Sequence, residues 1–133
     1  MKKEIRIALL WGIIAIGLLY HTIASMMPLF WGGDIRLEGT TPDNAALPMV
    51  FSMIYCFFVP VIAILLISYC HGKWVRITEG ILAIIYCIGN LFHMSDLIKT
   101  FSWEQLFVLP LILFVSILLL IETWKKEKAK QEV

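Results

Sequence analysis

Charge is what this sequence has least of. Asp, Glu, Lys and Arg make up 16% of its 133 residues, against roughly a quarter in soluble domains, and none falls between Ala45 and Cys70. A chain so poor in charge cannot clothe a large water-facing surface, which excludes a soluble globular domain. The net charge of +1 supplies no basic surface for a phosphate backbone, so nucleic-acid binding is excluded as well. Cysteine is scarce: Cys56, Cys70 and Cys87 lie in or beside apolar stretches and form no C-x-x-C pair, so neither a disulfide framework nor a zinc site of ordinary spacing can be built. They read as buried thiols, with Cys56 and Cys87 each within a turn of a polar residue. No internal repeat supports a carrier, and no recognised catalytic motif appears, which weighs against an enzyme.

What is present is apolar: 60% of the residues, gathered in four runs. The pattern predicts an all-α integral membrane protein, a four-helix up-down-up-down bundle occupying residues 1–133 as a single transmembrane domain, with helices over about 6–31, 46–70, 77–99 and 103–125. At 1.5 Å per residue each run is long enough for a hydrocarbon core of about 30 Å. The first could pass for a signal peptide, with Ala24 and Ser25 as a small-residue cleavage zone, but apolar character resumes through Met26, Leu29, Phe30 and Trp31, so the span is expected to be retained. The turns at 71–76 and 99–104 are short, which makes consecutive helices antiparallel neighbours. Pro28 is expected to tilt the last turn of the first helix and Gly32 with Gly33 to end it, whereas Pro60 should kink the second and free a carbonyl about a turn earlier. The fourth helix reads as scaffold, and Lys125 to Lys130 as its solvated extension.

Orientation follows from the basic residues. All of the 11 Lys and Arg except Arg36 and Lys99 fall at the two termini or in the turn after the second run, so that side is expected to be cytoplasmic and the acidic 34–44 loop to face outward. Trp31, Trp74, Trp103 and Trp124 flank the spans as interfacial anchors would. A bacterial inner membrane, with the bilayer as first partner, is the expected location.

Polar residues inside such spans are costly and usually face a bundle interior. On the third run Glu79, Ala83, Tyr86, Asn90 and His93 recur at steps of three or four, with Asp96 a turn beyond, while Leu82, Ile85, Ile88 and Phe92 take the opposite face. Glu79 is expected in the first turn, where a carboxylate suits the helix dipole. Gly17, His21 and Ser25 share a face of the first helix, and Ser52, Tyr55 and Cys56 lie on the outer side of Pro60. The expected ligand-binding set is His21, Ser25, Tyr55, Asn90, His93 and Asp96, at similar depth in the outer half of the membrane.

Three functions use this set. An outward-facing polar pocket on the third helix would bind a small ligand, a step toward transport, since His, Asp and Glu recur along transport paths. Alternatively the polar seam only packs helices, or docks a partner as an accessory subunit. The third reading is redox: His21 and His93, on different helices, are the residues that would ligate a metal or a b-type haem, and a quinone-linked site would use the same groups. Gly12 and Gly17 allow a second helix to approach closely, leaving open a homo-oligomer or a partner membrane protein.

Overall fold

The computed structural model describes residues 1–35, 39, 41 and 43–125, and all regular structure among them is helical. Four helices are long and apolar enough to cross a membrane: α1 (Lys3–Trp31), α2 (Ala46–Tyr69), α3 (Lys73–Lys99) and α4 (Trp103–Trp124). Residues 36–38, 40 and 42 of the expected acidic loop, and most of the expected extension beyond Lys125, lie outside the described residues.

α1 and α3 start earlier than their apolar runs, because Lys, Glu and Arg are good helix formers and extend each helix past its greasy segment. The expected six-residue basic turn is therefore corrected to a sharp reversal at Cys70–Gly72. Gly72 sits at φ +126°, backbone that favours glycine, and Lys73 to Arg76 already form the first turn of α3.

Both proline expectations appear as local geometry. Pro28 opens the 3-10 turn Met27–Trp31, which Gly32 ends at φ +79°. In α2 the segment Ile54–Phe58 is π-helical, with Val59 N–H bonded to the carbonyl of Ile54. That register would next pair residue 60 with the carbonyl of Tyr55, and Pro60 has no N–H to give. The freed Tyr55 carbonyl accepts the hydroxyl of Tyr86 from α3. A neighbouring helix thus satisfies the group that proline orphans, as backbone buried away from water requires.

α1 packs most closely against α4 and α2, and α3 against α4, whereas α2 and α3 touch only lightly despite their short link. That departs from the neighbour rule, and glycine and tyrosine explain it. Gly17 lets Ile112 of α4 approach α1, and Gly80 lets the Trp124 ring approach α3; a Cβ at either glycine would lie within 3.0 Å of those atoms. Between α2 and α3, by contrast, the rings of Tyr55 and Tyr86 stack at 4.5 Å and hold the helices apart. Gly12 has open space beside it.

The core takes Ile7, Trp11, Ile14 and Leu18 from α1, a repeat of three and four that lays one stripe inward, and meets Ala63, Ala83, Tyr86, Ile112, Val115 and Leu119. The expected face assignment of α3 holds for most positions: Glu79, Ala83, Tyr86 and Asn90 are buried, with His93 half-buried, and Ile85, Ile88 and Phe92 are exposed, Phe92 by 69%, whereas Leu82, expected on the outward face, is half-buried against the core. At the end that carries the termini, Lys3 Nζ donates to the carbonyls of Thr123 and Lys125 at 3.2 and 2.6 Å, placing a cation on the C-terminus of α4. Arg6 Nε donates to Glu122 at 2.7 Å beside it.

Candidate functional site

Near the end of the bundle opposite the termini, the imidazoles of His21 (α1) and His93 (α3) face each other with ring centroids 5.3 Å apart and planes tilted by 58°. α1 brings His21 there because it lies one turn beyond the buried Leu18, and α3 brings His93 one turn beyond the buried Asn90. Two cavities meet at this pair. The first, of about 450 Å³, opens between α1 and α2 and is lined by His21, Thr22, Ser25, Ser52, Tyr55, Cys56 and His93 with Leu18 and Phe51. The second, of about 310 Å³, is lined by His21, Ser25, His93, Asp96 and Gln105 among others.

Hydrogen bonds set the state of His21. Gln105 Nε2 donates to the His21 carbonyl at 3.2 Å and to Ser25 Oγ at 3.0 Å, which orients its amide. Its Oε1 then accepts from His21 Nδ1 at 2.7 Å, so in the neutral ring Nδ1 bears the proton and Nε2 keeps its lone pair. Ser25 Oγ donates to the His21 carbonyl at 2.8 Å, tying it to the same cluster. His93 has no hydrogen bond from either ring nitrogen to any described residue. An acceptor and an unengaged imidazole thus face each other where two cavities join.

The structure brings together four of the six expected residues: His21, Ser25, Tyr55 and His93. Tyr55 contributes its ring, since its hydroxyl is buried without a partner and lies at Gly89, where a Cβ would be only 2.5 Å from it. Asp96 lines the second cavity, but its side chain is 71% exposed and lies 3.9 Å from Lys99, the geometry of a wet helix end. Asn90 departs from the expectation. It lines neither cavity, is 2% exposed, and donates from Nδ2 to Ser116 Oγ of α4 at 2.7 Å; Ser116 in turn donates to the Ile112 carbonyl. Its place on the buried stripe directs it to the most closely packed neighbour of α3, so it joins helices instead of facing the cavities.

That contact and the Gln105 cluster also correct the reading of α4 as plain scaffold. The 3-10 turn Trp103–Gln105 turns Gln105 toward α1, and Ser116 is buried against Asn90. Deeper in the bundle is a pair that spacing on α3 alone does not reveal: Glu79 is 0% exposed and its Oε2 accepts from Trp11 Nε1 at 2.7 Å. Because α3 begins at Lys73, Glu79 is in its second turn, inside the bundle, and not at its edge. Trp11 packs edge-on against Tyr86 at 4.9 Å, so Glu79, Trp11, Tyr86 and Tyr55 form a continuous buried column leading toward His93. A lone tryptophan in mid-span needs an acceptor for its N–H, and Glu79 at a similar depth was the signal available.

For the redox reading, His21 and His93 set two imidazoles from different helices against each other, with ring centroids 5.3 Å apart. Among the described residues no group of three or more His, Cys, Asp or Glu side chains converges as a metal site would need.

The fold and the cavities define a class: an all-helical protein with four membrane-length helices and a polar pocket at one end. No family model matches the chain, and neither a curated protein nor a solved structure is significantly similar to it.

Proposed function

We propose that this is a multi-pass protein of a bacterial inner membrane, with both termini cytoplasmic, that binds a small ligand at the outward-facing His21–His93 pocket as a step in its transport. His93 carries this reading: it forms a wall of both cavities and neither ring nitrogen has a partner among the described residues, although it stands 5.3 Å from His21. A group held only for helix packing would be engaged, as Asn90 is. The ligand implied is small, bears a donor for His21 Nε2 and an acceptor or donor for His93, and has an apolar flank to set against Leu18 and Phe51.

A thermal-shift screen of small polar and amphipathic solutes on the detergent-solubilised protein tests this. A compound at 100 times its Kd stabilises by about 2.7 kcal/mol. His93→Leu and Ser52→Val are expected to abolish that shift, and Asn90→Ala, away from the cavities, to keep it while lowering stability. A hit insensitive to His93→Leu would remove the pocket from the reading.

Topology has its own test. With the three native cysteines replaced, Thr41→Cys is expected to react with an impermeant thiol reagent on intact cells and Lys73→Cys only after lysis. The reverse pattern would invert the orientation.

A second reading, in which the polar seam only packs helices or docks a partner subunit, is favoured by the Asn90–Ser116 bond and by the engagement of Gln105 with His21 and Ser25. It predicts that His93→Gln is silent in every assay.

A further inference from the structure

The end of the bundle that holds the termini has two cavities that the pocket reading does not use. One, of about 200 Å³, is lined by Glu4, His71 and Arg76 among apolar neighbours that include Ile7, Ile67 and Val75. The other is a groove of about 740 Å³ between α1 and α2, walled by Ile5, Ala8, Leu9, Ile64 and Ile67, with Lys2, Ser68 and His71 also on its lining. Glu4, Ile67 and His71 belong to both, so the polar chamber and the mainly apolar groove adjoin.

Lys3, at the polar chamber, is already bonded to the α4 carbonyls. The side chains of Lys2, Glu4, His71 and Arg76 are different: none has a hydrogen bond or ion pair with any described residue. The Glu4 carboxylate, the His71 imidazole and the Arg76 guanidinium therefore line the chamber, with the Lys2 ammonium on the adjoining groove, and none of them pairs with another. A single charge would leave one sign unmatched, and a purely anionic ligand would meet Glu4. What fits is a zwitterion with its charges a few atoms apart, joined to apolar chains.

We propose that this is a binding site for a zwitterionic glycerophospholipid with a primary ammonium headgroup, of the phosphatidylethanolamine type. The ammonium donates to Glu4, the phosphodiester accepts from Arg76 and from Lys2 or His71, and an acyl chain lies along Ile5, Leu9 and Ile64. Basic chambers between spans at a membrane surface suit lipid phosphates on electrostatic grounds, and Glu4 adds selectivity for a headgroup that can donate N–H bonds. The proposal rests on the membrane-spanning part of the reading above and not on the His21–His93 pocket.

Native mass spectrometry of the detergent-purified protein, with phosphatidylethanolamine, phosphatidylcholine or phosphatidylglycerol added at equal concentration, tests it. Phosphatidylethanolamine is expected to be retained about fivefold better than phosphatidylcholine, whose quaternary ammonium has the same charge but no N–H to give; one hydrogen bond of ordinary net strength supplies about that factor. Glu4→Gln is expected to erase the preference, and Arg76→Gln to lower retention of all three lipids. Glycerophosphoethanolamine, the headgroup without chains, is expected not to compete. Equal retention by the parent protein, a preference that survives Glu4→Gln, retention unchanged by Arg76→Gln, or competition by the chainless headgroup would each overturn the site. Alkaline carbonate washing of membranes separates the two readings. Release of the protein would sink the membrane reading, whereas embedded protein without headgroup preference would sink the lipid site alone.

Discussion

Truncating Trp11 to alanine is expected to cost about 3–5 kcal/mol, the range for deleting a buried aromatic side chain, a large part of the 5–15 kcal/mol by which most folds are stable. The indole is 0% exposed, meets Tyr86 edge-on at 4.9 Å and donates to Glu79 at 2.7 Å. Alanine would open a void where α1, α3 and α4 converge and strand a carboxylate whose Oε1 already lacks a partner. The two effects separate. Trp11→Phe keeps most of the ring and loses the donor, so it should cost about 1–3 kcal/mol for the carboxylate left unpaired. Glu79→Met leaves the indole N–H unpaired and should cost a similar amount. Making both changes removes donor and acceptor together, so the double variant should lose clearly less than the sum of the singles. Unfolding in detergent measures all three, and costs that add to within about 0.5 kcal/mol would show that the Trp11–Glu79 bond does not couple the helices.

This pair also shows which parts of the protein were legible in the sequence. The four membrane-length helices and the inward face of α3 were readable because both depend on periodicity: apolar runs set length, and residues at steps of three and four share a side. The His21–His93 meeting was readable from depth alone, since both residues sit in the halves of their helices away from the chain termini. Partner choice was not readable, because periodicity says which face a residue occupies and not which neighbour that face meets. Asn90 and His93 share the stripe of α3, yet Asn90 meets Ser116 while His93 meets His21 and the cavities. The deciding features are small residues: Gly17 draws α4 against α1, which the short connections do not announce, and Gly80 lets α4 close on α3. The apolar run of α3 starts only after the charged residues and so suggests a place for Glu79 in the first turn, whereas Lys73 and Arg76 are part of the helix and set Glu79 a turn deeper.

A methyl group at Gly89 is expected to be the most damaging small change on α3, for a reason that also bears on the pocket. In an isolated helix Gly→Ala would stabilise by about 1 kcal/mol. Here the new Cβ would stand 2.5 Å from the Tyr55 hydroxyl, and that ring is held by its stack on Tyr86 at 4.5 Å and 5°. Gly89→Ala should therefore cost about 1–3 kcal/mol, as overpacked cores do. It should also weaken ligand-dependent stabilisation, since Tyr55 walls the 450 Å³ cavity and has nowhere else to go. The hydroxyl itself has no hydrogen-bond partner among the described residues, so Tyr55→Phe alone should be neutral or slightly stabilising. With the hydroxyl removed, the nearest ring atom to a residue-89 Cβ is 3.3 Å away, a contact that a shift of a few tenths of an ångström relieves. The double variant Gly89→Ala with Tyr55→Phe should thus recover most of the lost stability and the ligand response. Recovery of stability without the ligand response would mean that the Tyr55 hydroxyl turns toward the ligand when one is bound. A Gly89→Ala protein as stable as its parent would show that Tyr55 is not wedged between α2 and α3.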